Sequence, residues 1–507
     1  MTRRKVATTS NASSQGPRLP ADTPYKCSDN TTTDHVGTSS TTSQDEVSPF
    51  QSLLPLYYEL PAGQTAHLIH TSLLIPGRGA PSKDMSIILQ CGKIQSIQST
   101  KSLPEAISKS LPTTNVSVIL PGLWDCHTHL LGATSFNFSE LLTTTPPALA
   151  GARIARNVHD ILMSGFTSVR DLGGYAIEIS KAIAEGSLIG PNIYSAGAAI
   201  SQTSGHGDVF DMPSGFVASC LGVRDTQANG FNPAYGPLLL ADGEDECRRA
   251  VRLLIRRGAS CIKVFASGGV LSIADDPLRQ QFSDAELKVI VDEANRAGRV
   301  VAAHCHGKNG ILAALRAGCK SIEHGTYMDS ECIDVFKKNN AIYVPTRTIV
   351  KLGIDHPELM SPESYRKMVE TAKHHKAAYQ LAVKSGLKIA LGTDLGISAP
   401  TTHPLALGNS GGELSYAVSD GGMTPLEAIE AATANAPDVL GGLGMAPKSG
   451  RIEVGYDADL IALSENPLDD MNVFKDPKNV THVWKGGKLF KSPDGKTANG
   501  SGSVFGT

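Results

Sequence analysis

Between residues 121 and 440 the chain repeats one local pattern eight times, a short apolar run followed by a stretch of helical periodicity. The runs end at "LWDCHTH", "TSVRDL", "NIYSAG", "CIKVFASGG", "VVAAHCHG", "SIEHG", "IYVPTR" and "KIALGTD". Helical stretches between them include "ARIARNVHDILMSG", "EDECRRAVRLLIRRG", "SDAELKVIVDEANRAG" and "KAAYQLAVKSG". Several close on Gly, the residue that most readily ends a helix. Ser283 and Glu286 have the spacing of a capping box. Eight strands, each followed by a helix, predict an α/β fold: a (β/α)8 TIM barrel over 121–440.

The flanks read differently. Residues 1–60 are rich in Ser, Thr, Pro and Asn and predict a disordered arm. Residues 61–120 hold short β-rich runs ("AHLIHTSLLIPG", "MSIILQCGKIQSI", "VSVILPG") parted by Gly and Pro. Residues 441–490 mirror them with "GRIEVGYDADLIALSEN" and "THVWKGGKLF". Chain ends are commonly close together, so the two parts are expected to pair into a small β-sandwich with Trp484 in its core. A flexible tail is expected over 491–507.

Bulk properties narrow the function classes. A net charge of −3 gives no electrostatic reason to expect nucleic acid or an anionic membrane as partner. No run approaches the roughly 18 apolar residues of a membrane span. The nine Cys are scattered without the spacing of a disulfide framework, which favours a reducing compartment. The N-terminus has no apolar h-region of a secretory signal. A cytoplasmic location is expected, with a mitochondrial presequence as the alternative reading of the basic, Ser/Thr-rich start.

The chemistry gathers at strand ends. "PGLWDCHTHL" holds His127 and His129, and "HCH" holds His304 and His306. Residues i and i+2 of a strand share a face, so each pair is aimed at one place. With 15 His in the chain, chance placement gives about 0.4 such pairs. In the predicted barrel the C-terminal strand ends carry the active site. Those ends supply His127, His129, Lys263, His304, His306, His324 and Asp394. Packing gives histidines no reason to gather there, so they read as a shared metal site. Imidazole and carboxylate are the ligand types that suit Zn²⁺. The alternative for Lys263 is an ion pair with a barrel carboxylate.

This set (HTH on strand 1, Lys on strand 4, single His ligands on strands 5 and 6, Asp in "GTD" on strand 8) resembles the binuclear metal branch of the amidohydrolase superfamily. The resemblance runs from about residue 65 to 490, and "KVFASGGV", "CKSIEH" and "THVWKGGKLF" are similar to its ochratoxinase-like and imidazolonepropionase-like carboxypeptidases. It implies two divalent metal ions, expected to be Zn²⁺, and a CO2-derived carbamate on Lys263 that both ions share. Burial depresses a lysine pKa and supplies the neutral amine this needs. By the same resemblance His127, His129 and Asp394 hold the more buried ion, and His304 and His324 the outer one. A metal-bridging hydroxide then attacks the amide carbonyl while Asp394 passes its proton to the leaving nitrogen. A homo-oligomer is also implied.

Substrate contacts are less sharply written. His306 is assigned to the substrate carbonyl or the oxyanion, with support of a ligand as its alternative. Arg347 is a candidate clamp for a substrate carboxylate or a structural arginine. Arg170 either touches substrate or pairs with Asp171. His206 lies in the Gly-rich loop "SQTSGHGDVFDM", on the substrate side or behind a ligand. His374 and His375 read as a solvated helix face. The expected activity is hydrolysis of a small amide or dipeptide-like substrate, releasing a C-terminal apolar or aromatic amino acid, with an ochratoxin-type amide among the candidates. A cyclic amidohydrolase of imidazolonepropionase type is the alternative. Deaminases of the superfamily generally lack the strand-4 lysine. A scaffold protein of this fold would have lost its ligands, whereas all six positions are filled here.

Overall fold

The computed structural model describes residues 66–223 and 236–495. The predicted arm over 1–60 and the tail from 496 onward lie outside the described residues. The chain first forms β1 (His67–Leu74), β2 (Ser82–Gln90), β3 (Lys93–Ser99) and β4 (Thr113–Pro121). Next come β5 (Leu123–Ala133), β6 (Phe166–Asp171), β7 (Asn192–Ser195), β8 (Ala199–Ser201), β9 (Leu238–Leu240) and β10 (Ile262–Phe265). They are followed by β11 (Val301–Cys305), β12 (Ser321–His324), β13 (Ile342–Val344) and β14 (Leu395–Ile397). The last are β15 (Leu460–Leu463), β16 (Val480–Lys485) and β17 (Lys488–Lys491). The fold is mixed α/β.

The first four and last three described strands meet in one seven-stranded sheet of order β17-β16-β15-β4-β1-β2-β3. The joint is β15 on β4, with Leu460 opposite Pro121 and Ile461 opposite Leu120. Ile69, Ile87, Leu460 and Trp484 pack together against it, and Trp484 also stacks on His482 at 5.2 Å between ring centroids.

The remaining strands form two parallel sheets, β13-β12-β11-β10-β8-β9 and β14-β5-β6-β7. Backbone hydrogen bonds run between them: Ser260 N–H to the Ser195 carbonyl at 2.8 Å, and Cys126 N–H to the Leu391 carbonyl at 2.9 Å. Tyr343 and Ala390 add a bond each way across the 388–390 segment, Tyr343 N–H to the Lys388 carbonyl and Ala390 N–H to the Tyr343 carbonyl, both 3.0 Å. The flanking helices are amphipathic. In Gly243–Arg257, for example, Cys247, Ala250, Val251 and Leu254 face inward, and Gly258 ends the helix at φ +119°. The capping box at Ser283 and Glu286 is present.

Two predicted strands differ from expectation. "NIYSAG" stops at Ser195, and a second short strand, β8, starts at Ala199. Between them Gly197 takes φ +71°, where a Cβ would come 2.9 Å from Ile177 Cδ1. "KIALGTD" keeps only a bridge between Tyr343 and Ile389. Its end is bent away because Asp125 accepts from Thr393 N–H at 3.0 Å, while Asp394 N–H donates to the His127 carbonyl at 2.7 Å. Among the described residues no helix is long and apolar enough to cross a membrane.

Trp484 is 1% exposed, so Trp484→Ala leaves a large cavity in the joining sheet. We expect it to lower the unfolding free energy by about 3–5 kcal/mol, measured by urea denaturation.

Candidate active site

The ends of β5, β10, β11 and β12 and the turn before β14 open onto one cavity of about 470 Å³. His127, His129, Lys263, His304, His306, His324 and Asp394 all line it, and His206 joins them from the loop after β8. Asp394 Oδ1 lies 3.0 Å from His129 Nε2 and 3.4 Å from His127 Nε2. Lys263 Nζ is 3.4 Å from His127 Nε2. Potential ligand atoms of His127, His324 and Asp394 fall within 4.8 Å of one another, as do those of His304, His306 and His324. This is the donor chemistry of a divalent transition metal.

Each imidazole has one ring nitrogen beside a backing neighbour, which fixes the ring. His127 Nδ1 lies 2.9 Å from Glu323 Oε2, and His129 Nδ1 lies 3.1 Å from the Gly173 carbonyl. His304 uses Nε2 instead, 3.2 Å from the Gly268 carbonyl. His306 Nδ1 and His324 Nδ1 each sit 2.7 Å from a threonine hydroxyl, Thr326 and Thr346. His206 is stacked on His304 at 4.5 Å and backed by Asp275, 3.2 Å from its Nδ1. Gly269 is required below it, since a Cβ there would run into the His206 ring.

Burial keeps most of these groups neutral. It pushes His127 down to about 4, helped by the nearby Lys263 charge, and His306 to about 3. His304 and His324 are also lowered strongly, first by burial and then by neighbouring histidines. His129 is the exception. Burial opposes its charge, but the Asp394 carboxylate outweighs that and raises its pKa. Burial lowers Lys263 to about 8 against the pull of Glu323 and Asp394, so a neutral amine is within reach near neutral pH.

Three expectations need correction. Arg170 does not reach the cavity and does not pair with Asp171. It is fully buried, with its Nη2 2.8 and 3.0 Å from the two oxygens of Glu323. Arg347 does not clamp substrate in this geometry: its Nε donates to Asp420 at 2.8 Å and its Nη1 to the Ala372 carbonyl at 3.3 Å. His375 is not solvated. It is buried, with Nε2 2.6 Å from the Pro345 carbonyl, while His374 is exposed as expected.

The sequence reading passed over the residues behind the ligands: Glu323, Asp125, Thr326, Thr346 and Asp275. Two of them left a trace. Asp125 and Glu323 are acids inside otherwise apolar strand runs, and a carboxylate is rarely buried unless it is paired.

Comparison with known proteins identifies the family. The model of the amidohydrolase family matches residues 118–490. The chain is 49% identical over 432 residues to ochratoxinase of Aspergillus niger, covering 84% of this chain and 87% of that protein. The crystal structure of that enzyme superposes with a TM-score of 0.79 at 48% identity, covering 85% of this chain and 96% of the other. A Xaa-Pro dipeptidase solved with methionine in its active site gives a TM-score of 0.72 at 30% identity, over 84% of this chain and all of the other. Imidazolonepropionase of Pseudoalteromonas atlantica is 23% identical over 419 residues, 79% of this chain and 91% of that protein.

The buried Arg170–Glu323 pair yields a test. Glu323→Gln leaves the guanidinium unneutralised and weakens the orientation of His127. A stability loss of about 3–5 kcal/mol is expected, read from chemical unfolding of the metal-free protein.

Proposed function

The chain belongs to the amidohydrolase family, and from that premise we propose a metal-dependent hydrolase that releases a C-terminal apolar or aromatic amino acid from a small amide or dipeptide-like substrate. The observation that carries this reading is the convergence of His127, His129, Lys263, His304, His324 and Asp394 on one cavity. Two divalent ions held there, expected to be Zn²⁺, would polarise the amide carbonyl and activate a water. In this reading the two parallel sheets form one closed (β/α)8 barrel, and the backbone bonds linking Ser260 to Ser195 and Cys126 to Leu391 support it.

Lys263 fits a carbamate. Its Nζ is buried among the ligands, where an ammonium would repel cations and a CO2-derived carbamate would bind them. Asp394, beside His129 and His127, is placed to take a proton from the attacking water and return it to the leaving nitrogen. If the Thr326 hydroxyl donates to His306 Nδ1, the ring keeps a hydrogen on Nε2 for the carbonyl oxygen or oxyanion. His206 faces the cavity beside His304 and is assigned to the substrate. Phe136, Phe138, Phe210, Phe265, Ile349 and Met368 line the cavity walls and suit apolar or aromatic groups. The ochratoxinase and dipeptidase relatives support the same substrate class. Outside the chemistry, a homo-oligomer remains part of the proposal.

Protein prepared with zinc and carbonate should hold stoichiometric metal and cleave N-acyl aromatic amino acids; activity confined to cyclic amides would favour the imidazolonepropionase-type alternative. Lys263→Ala should lose metal and activity, with partial rescue by short carboxylic acids, and wild-type metal content in this variant would remove the carbamate. Asp394→Asn should lower kcat by about 10²–10⁴-fold with the fold retained by circular dichroism.

A further inference from the structure

Thr346 follows β13 at φ +57°, a conformation that is costly for a β-branched residue. Such strain persists only where the surroundings impose it. Thr346 is also the N-cap of the helix Arg347–Asp355, yet its side chain makes no capping bond. A threonine in that place ordinarily turns its hydroxyl to the first free N–H groups of its own helix. Here the hydroxyl lies 2.7 Å from His324 Nδ1 instead.

The capping is done from elsewhere. Glu413, on the helix Gly412–Ser419 and 1% exposed, accepts from Arg347 N–H at 3.0 Å and from Thr348 N–H at 2.7 Å. It also accepts from the Thr348 hydroxyl at 2.7 Å. The rest of the turn is held by His375 on the Pro345 carbonyl and by the Arg347–Asp420 ion pair.

We propose that Glu413 is a positioning residue for the metal centre: by capping the helix in place of Thr346 it frees the Thr346 hydroxyl to fix the ring of His324, with Nδ1 carrying the hydrogen and Nε2 left for the cation. The inference rests on the metal-dependent reading above and adds a residue that touches neither metal nor substrate. It also gives Arg347 a purpose, as an anchor of this turn.

The test compares Thr346→Val, Thr346→Ser and Glu413→Gln with the wild type by two measurements. Zinc affinity, from competition with a chromophoric chelator, should fall about 10–100-fold in Thr346→Val and Glu413→Gln and stay near wild type in Thr346→Ser. Nitrogen NMR of histidine-labelled, metal-free protein should show a single Nδ1–H tautomer for His324 in the wild type and Thr346→Ser, and a mixture in the other two. If Glu413→Gln does not fold, Thr348→Ala replaces it, removing one of the three donors with a smaller loss expected. Wild-type affinity and an unchanged tautomer in Thr346→Val and the Glu413-side variant would overturn the proposal. A wild type that takes up no zinc defeats the metal reading instead, and the tautomer measurement still decides this one.

Discussion

The pair between Arg170 and Glu323 is the contact on which both the fold and the site depend. Arg170 comes from β6 in one parallel sheet and Glu323 from β12 in the other. Neither is exposed to solvent. The guanidinium also donates to the Cys126 carbonyl at 2.7 Å and the Ser321 hydroxyl at 2.9 Å, so it ties its own strand β6 to two others, β5 and β12. Burying two charges costs several kcal/mol per ion and is offset only where every hydrogen bond is made. Here each guanidinium nitrogen and both Glu323 oxygens have a partner, the oxygens also facing the Ser321 hydroxyl and His127 Nδ1. Burial disfavours the Glu323 charge, but Arg170 and then His127 hold its carboxyl at about 2. The oxygen nearest His127 thereby orients its ring, so loosening this pair would disturb sheet joining and the geometry of the histidine cluster together.

The legibility of this site in the sequence follows from the range of the interactions. His127, His129, Lys263, His304, His324 and Asp394 were readable because a strand end is a local feature. An apolar run stops, and the next polar residues stand at its mouth. The joining of residues near 120 to those near 460 was readable for a similar reason, since both segments carry alternating strand patterns. Arg347 and Arg170 were misjudged because a side chain's partner is set by residues far along the chain: Asp420 is 73 positions from Arg347 and Glu323 is 153 from Arg170. No local pattern records such a pairing. His375 failed differently. The face of the long helix Pro362–Lys384 that packs inward is fixed by the turn at Pro345, which accepts from it.

Part of the backbone strain lies beside the site. His324, Thr346 and Asp394, three of the eight non-Gly residues with positive φ among the described residues, take values of 67°, 57° and 62°: His324 ends β12, Thr346 lies two residues past β13 against the His324 ring, and Asp394 immediately precedes β14. Every such residue costs of order 1–3 kcal/mol. In each case the surrounding hydrogen bonds identify what holds it. The Tyr343 hydroxyl donates to the His324 carbonyl at 2.8 Å, Glu413 braces the turn after Thr346, and the His127 carbonyl takes the Asp394 N–H. A chain leaving these strands in ordinary extended geometry would carry the same side chains away from the centre, so sharp turns and ligand convergence are one feature.

The cavity divides its chemistry by depth. Its floor is built from residues at or near strand ends whose rings are held by neighbours, while its walls come from the segments that follow different strands: Phe136 and the helix residue Phe138 after β5, Phe210 after β8, Leu271 after β10, and Ile349 on the helix Arg347–Asp355 after β13. Apolar walls around a polar floor lower the local dielectric, which strengthens each electrostatic contact made there. One aromatic of the wall touches the polar floor directly: Phe265, the last residue of β10, packs edge-on against His206 and His304, with the Lys263 ammonium 5.8 Å from its ring centre. Under the proposed function, Phe265 would be the wall residue through which substrate fit and the geometry of the histidine cluster are coupled. Fold alone does not decide between substrates.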